Sequence, residues 1–212
     1  MRKFAKKVMA LVLAAAMMVP TIAVDTFATA SETKTDVASV SVSATGPSKT
    51  YNKKAQSVTA ANFKLSKSVG TVSAISGTTK ATKAGTYTVT LTVKGSGQYT
   101  GTKAIKATWK IKKAATKITT SIASKTFKYS KTKKKLQYVN IKVKASSGVK
   151  VTYKTSSSKI FVKRSCVHNS KSNVLCFHAK KGTKKGTYYV TLTAKSNANY
   201  LKATKKIKIV VK

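Results

Sequence analysis

The chain has 212 residues, with 43 Lys and Arg against 3 Asp and Glu, a formal net charge of +40 at pH 7. So few carboxylates exclude ordinary salt-bridge networks, the paired acids of a glycosidase and the oxygen cage of a calcium site. A hydrophobic fraction of 42% and regular alternation argue against the disorder that such charge otherwise brings.

Residues 1–30 read as a secretory signal peptide. Arg2, Lys3, Lys6 and Lys7 form a basic opening, the run Val8–Val19 is wholly apolar, and Pro20 breaks it. Ala28-Thr29-Ala30 is a small-residue cleavage signal, so the expected cut follows Ala30. The apolar run is shorter than the roughly 20 residues a membrane-spanning helix needs, so no membrane span is expected after cleavage. The remaining chain keeps 39 basic residues (43 − 4) and two acids, Glu32 and Asp36, a net charge of +37 (39 − 2).

From there on the pattern has period two. Tyr87, Val89, Leu91 and Val93 alternate with threonines, and Ile105, Ala107, Trp109 and Ile111 alternate with Lys and Thr. Val139, Ile141, Val143 and Ala145 do the same, as do Ile207, Ile209 and Val211. Each reads as a strand with one buried face, and no stretch sustains helical spacing for three turns. The fold class is all-β.

The chain also repeats itself. Gly85-Thr86-Tyr87-Thr88-Val89-Thr90-Leu91-Thr92 recurs as Gly186-Thr187-Tyr188-Tyr189-Val190-Thr191-Leu192-Thr193. In both copies a tyrosine, Tyr99 or Tyr200, follows 14 positions after the glycine, and a Lys-rich alternating strand closes the unit. The parse is one domain over 31–113 and a second over 114–212, each with six or seven short strands, the pattern of a small sandwich.

The second unit resembles the Lys-rich immunoglobulin-like repeats of secreted and surface proteins from Gram-positive, clostridial-type bacteria. The resemblance rests on Phe127-Lys128-Tyr129-Ser130-Lys131, Lys150-Val151-Thr152-Tyr153-Lys154, Lys184-Lys185-Gly186-Thr187-Tyr188 and Asn197-Ala198-Asn199-Tyr200. The first unit looks like a relative through Lys49-Thr50-Tyr51, Ala84-Gly85-Thr86-Tyr87 and Gly97-Gln98-Tyr99-Thr100-Gly101-Thr102. The resemblance implies two tandem immunoglobulin-like β-sandwich domains serving as a spacer, stalk or adhesive module.

Three sets of residues are candidate sites. Both cysteines and both histidines fall in one window, Cys166-Val167-His168 and Cys176-Phe177-His178, separated by the turn-like Asn169–Asn173. Cys166 and Cys176 are a disulfide candidate in an exported protein: a hairpin loop centred on Lys171 would set them opposite each other, whereas a two-residue turn at Lys171-Ser172 would put them on opposite faces and leave free, buried thiols. The alternative is a metal site of Cys166, His168, Cys176 and His178, although C-x-H spacing is unlike a zinc knuckle. The second set is Tyr51, Tyr99, Tyr129 and Tyr200, all near turns. Stacking on a sugar ring and packing across a sandwich corner are both open to them. The third set is lysine, clustered at Lys133-Lys134-Lys135, Lys180-Lys181, Lys184-Lys185 and Lys205-Lys206, expected in turns or on outward strand positions.

With Arg164 the only arginine after the signal peptide, charge is carried by lysine, which favours diffuse attraction over bidentate recognition. The expected protein is secreted or cell-wall-associated and non-enzymatic, a structural or adhesive module held electrostatically by anionic cell-wall polymers or acidic glycans. No cofactor and no specific nucleic-acid partner are implied. A specific carbohydrate-binding module and an exported Cys/His metal-binding protein are the rival readings.

Overall fold

The structure is a computed structural model that describes residues 32–164 and 173–212. The expected signal peptide, Cys166 and His168 lie outside the described residues. Among the described residues, no helix is long and apolar enough to cross a membrane. Residues 34–212 form one compact body with two separate hydrophobic clusters, one drawn from residues 37–111 and one from 118–211.

In the first half the alternating segments become one regular sheet. It contains β1 (Ser48–Thr50), β2 (Gly70–Gly77), β3 (Gly85–Gly95) and β4 (Thr102–Lys112), in the order β1-β4-β3-β2. Only the β1–β4 pairing is parallel. Val89, Leu91 and Val93 face inward beside Ile105, Ala107, Trp109 and Ile111, as the pattern requires. The opposite layer is irregular. It consists of two-residue ladders, Ala44–Thr45 with Lys64–Leu65 and Gln56–Ser57 with Lys80–Ala81, plus short turns of 3-10 helix at Val37–Ser39 and Ala60–Asn62. That stretch is rich in Ser, Lys and Ala and seldom alternates, so it delivers single anchors to the core, Val37, Val58, Phe63 and Val69.

The second half is a complete sandwich. Its strands are β5 (Ile118–Thr120), β6 (Ser124–Phe127), β7 (Gln137–Ala145), β8 (Val151–Thr155), β9 (Ile160–Lys163), β10 (Val174–Ala179), β11 (Gly186–Ala194) and β12 (Ala203–Val211). They form two sheets, β5-β7-β10-β9 and β6-β12-β11-β8. The first stretch is thus split between the two sheets, and the remaining order is that of an immunoglobulin-like sandwich. Ile141, Ile160, Phe177, Leu192, Ile207 and Ile209 fill the space between.

The repeat is visible in the register. Trp109 pairs with Tyr87 and Ile209 with Tyr188, and each tyrosine hydroxyl donates to a lysine carbonyl four residues back, Lys83 at 2.6 Å and Lys184 at 3.0 Å. The connection after the repeated strand also recurs. Ala114 bridges Tyr200 in parallel fashion, its N–H donating to the Asn199 carbonyl at 2.9 Å. Thr35–Asp36 pairs in parallel with Tyr99–Thr100, and the Thr35 N–H donates to the Gln98 carbonyl at 2.9 Å. Gly101 is required at this bend: its φ is +75°, and a Cβ there would lie 2.5 Å from the Asp36 carboxylate.

The halves are joined by a small polar-aromatic contact. The Asn199 side-chain oxygen accepts from the Ala84 N–H at 2.9 Å, and the rings of Tyr51 and Tyr200 meet edge to face at 5.2 Å.

Trp109 is the largest fully buried side chain, at 0% exposure, and its Nε1–H donates to the Thr78 carbonyl at 2.7 Å while the ring sits 5.0 Å from Tyr87. With one regular sheet and a broken opposite layer, the first half has little else of that size. Trp109→Ala is expected to cost about 3–5 kcal/mol, read as a lowered urea midpoint.

Candidate functional site

The lysine clusters are gathered by a short helix that the alternation did not reveal. Lys133–Lys135 were expected in a turn or on a strand. The structure instead forms α1 (Tyr129–Lys134), with the Lys135 N–H closing its last turn on the Lys131 carbonyl at 3.0 Å. The helix is held down by Thr132, which is fully buried yet satisfied: its hydroxyl lies 2.9 Å from the Tyr129 carbonyl and 3.3 Å from that of Thr183. The Gly182 N–H donates to the Thr132 carbonyl at 2.9 Å, and the buried Thr183 hydroxyl donates to Lys180. These bonds clamp the β10–β11 turn against α1.

The consequence is electrostatic. Lys128, Lys131, Lys133, Lys134 and Lys135 from one element meet Lys180, Lys181, Lys184 and Lys185 from the other, all exposed. At the centre the Tyr129 ring has the amines of Lys133 and Lys185 each 5.7 Å from its centroid. Beside it lies an open cleft of about 610 Å³ lined by Lys131, Lys134, Lys135, Leu136, Gln137 and Tyr138. Leu136 and Tyr138 are 41% and 42% exposed, an apolar floor among ammonium groups. Lys205 and Lys206 lie elsewhere, on β12, where the Lys206 amine sits 6.0 Å over Tyr189.

The tyrosine candidates divide by position. Tyr51 and Tyr200 face each other at the joint between the halves. Tyr99 packs against the first core beside the N-terminal segment, and Tyr129 packs against the second core in the lysine cap. Tyr138, which the sequence reading did not single out, is the tyrosine on the cleft.

The cysteine-histidine window is described only on one side. Cys176 is disulfide-bonded and 0% exposed. Its neighbour across the ladder is Lys163, a register different from a loop centred on Lys171 with Cys166 directly opposite. A disulfide sulfur is not a thiolate, so in this state Cys176 has no metal ligand to offer. Among the described residues, no group of three or more His, Cys, Asp or Glu side chains is placed to hold a metal. His178 is buried, with its Nδ1 3.0 Å from the Cys176 carbonyl oxygen and its ring stacked on Phe161 at 4.5 Å.

All six residues of β10 are buried, although Leu175, Phe177 and Ala179 alone belong to the core cluster. Val174, Cys176 and His178 therefore form a second, covered face. The unbroken run Val-Leu-Cys-Phe-His-Ala was the available signal, since a strand with both faces covered loses its alternation.

Fold and site together define an all-β protein of tandem immunoglobulin-like sandwiches with a lysine-covered end. No family model and no curated protein matches the chain. Among solved structures, the I-band fragment I67–I69 from titin aligns with 80% of this chain and 64% of its own length, at 13% identity and a TM-score of 0.31. A titin A168169 structure aligns with 80% of this chain and 95% of its own, at 10% identity and a TM-score of 0.30. An endo-fucoidan hydrolase, MfFcnA9 of glycoside hydrolase family 107, aligns with 78% of this chain and 32% of its own, at 10% identity and a TM-score of 0.31. The chain spans under two thirds of the first and last of these. At such scores the alignments add no argument to the strand order.

Unreduced, denatured protein is expected to titrate with no free thiol, and peptide mapping is expected to join Cys176 to Cys166, the chain's other cysteine. A thiol count of two before reduction would refute this pairing.

Proposed function

We propose that this chain is a secreted or cell-wall-associated structural and adhesive module, retained by multivalent electrostatic attraction to anionic polymers such as teichoic acids or acidic glycans. The observation that supports it is the convergence of the α1 lysines with those of the β10–β11 turn on one end of the second sandwich. None of these elements carries an acidic side chain: the carboxylate side chains after Ala30 are Glu32 and Asp36. Lysine ammonium groups on flexible stems act as point charges, so they suit a polymer with a regular run of phosphates or carboxylates rather than one exact arrangement. No chemical step is involved: the chain has neither the paired carboxylates nor the placed acid that hydrolytic sites use.

A specific glycan site is the second reading, favoured by Tyr138 and Leu136 lying exposed on the lysine cleft, where a sugar ring could stack. The two readings differ in salt dependence. Charge-held binding releases counterions and falls steeply as salt rises, whereas stacking and hydrogen bonding persist.

The test is sedimentation of the chain from Ser31 onward with isolated Gram-positive cell walls, before and after removal of teichoic acids, across a salt series. Binding is expected to vanish on stripping. The combined Lys131→Gln, Lys134→Gln and Lys135→Gln variant is expected to bind at least about ten-fold more weakly, with the salt slope reduced by roughly 2. Binding that survives both stripping and high salt would overturn electrostatic retention in favour of a specific site.

A further inference from the structure

The joint between the two halves is built from one end of each half, and both ends are duplicated by the repeat. The head of the first half is Tyr51 with the Ala84 N–H; the socket of the second is Asn199 with Tyr200. The second half has its own head. The Tyr129 N–H donates to the Lys212 carbonyl at 2.7 Å, as the Tyr51 N–H donates to Lys112 at 2.9 Å, so Tyr129 stands where Tyr51 stands. The paired bonds of Tyr87 to Lys83 and Tyr188 to Lys184 put Lys185 in the place of Ala84. The first half likewise has its own socket. Gln98 and Tyr99 receive Thr35 as Asn199 and Tyr200 receive Ala114, and Gln98 is exposed.

We propose that the head at Tyr129 and Lys185 docks into the socket at Gln98 and Tyr99 of a second copy of this chain, giving head-to-tail association. In that contact the Lys185 N–H donates to the Gln98 side-chain oxygen, and the Tyr129 ring meets the Tyr99 ring edge to face. Charge selects this partner. Asp36, paired with Thr100 at the socket, and Glu32, four residues earlier in sequence, are the side-chain carboxylates of the chain after Ala30. The head carries Lys133 and Lys185 against Tyr129. The sheet faces and the other end of each copy carry no acidic side chain to offer instead. Head and socket lie on different halves, so the contact is heterologous and does not close by pairing with itself; it extends into a row. Without the covalent linker that raises the effective concentration at the internal joint, the first contact is weak, with a dissociation constant on the order of 1 mM. It does not rest on the polyanion reading, and it is tested in polyanion-free buffer.

The scarcity of acids makes the test direct. A zero-length carbodiimide joins a carboxylate to an amine only where the two touch; after Ala30 the side-chain carboxylates are Glu32 and Asp36 alone, and links through the main-chain carboxylate of Lys212 are told apart by their peptide and not counted. An equal mixture of isotope-labelled and unlabelled chain from Ser31 onward is cross-linked at about 0.15 M salt, where the Debye length of roughly 8 Å screens the repulsion between bodies but not the contact. Intermolecular links are expected from Asp36 or Glu32 to Lys133, Lys184 or Lys185, with a ladder of higher species. Tyr129→Ala, its folding checked by circular dichroism, and the exposed-site variant Gln98→Ala are each expected to reduce the intermolecular yield about five-fold. Links scattered over sheet lysines, a monomer that never cross-links, or a yield unmoved by Gln98→Ala would each overturn the proposal.

Discussion

Almost no carboxylate is available to neutralise lysine, and the rest of the structure follows from that constraint. With two acidic side chains after Ala30, ion pairing cannot contribute to more than a trace of the fold. Stability must come from apolar burial and backbone ladders, and every ammonium must either reach water or find another source of negative potential. Carbonyl dipoles supply some: the Lys49 amine donates to the Ser57 carbonyl at 2.6 Å, and the Lys103 amine donates to Ala38 at 3.0 Å and Val40 at 2.5 Å. Aromatic faces supply more. Phe161 has the amines of Lys163 and Lys180 at 6.0 and 5.8 Å, and Tyr129 is similarly flanked. Each such contact is worth about 0.5–1 kcal/mol at an exposed site. None of them neutralises charge, so the chain remains a strong polycation.

This constraint also explains why the repeat diverges where it does. The paired strands β3–β4 and β11–β12 bury one face and expose lysine and threonine on the other, a pattern that needs no acids and so survives duplication. Beyond that common sheet the halves solve their second layer differently. The second half completes a four-stranded sheet and covers it on both sides at β10, where Cys176 and His178 are as buried as the core. The first half supplies single anchors from an irregular layer, and Trp109 takes up the volume. The element the halves share beyond that sheet is the connection around Tyr99 and Tyr200, which in each receives the preceding segment.

What could be read from sequence was what a period of two encodes. Alternation at 87–93 and 105–111 identified strands and their buried faces, and the spacing from Gly85 to Tyr99 and from Gly186 to Tyr200 identified the duplication. Alternation says nothing about which strands are neighbours, so the gathering of Lys133–Lys135 with Lys180–Lys185 was invisible; it depends on the Thr132–Thr183 clamp, a tertiary contact between polar residues 51 positions apart. A helix as short as α1 has no periodicity to detect. The register of β9 on β10 was open for the same reason, since a hairpin loop of undetermined length allows several alignments, and the one found pairs Cys176 with Lys163. The broken layer of the first half was missed because residues 44–69 resemble loop in composition while still contributing Val58 and Phe63 to the core.

The lysine cap and the joint bear on each other through Tyr129. In the first half the corresponding ring, Tyr51, is spent on Tyr200, and the neighbouring position is the uncharged Ala84. In the second half that position is Lys185, and the ring is flanked by ammonium groups instead of by a partner ring. Lysine at this rim, where the first half has alanine, gives the second face a positive charge that the first lacks. A polyanion strand and the acidic socket of another copy would then compete for the same ammonium groups.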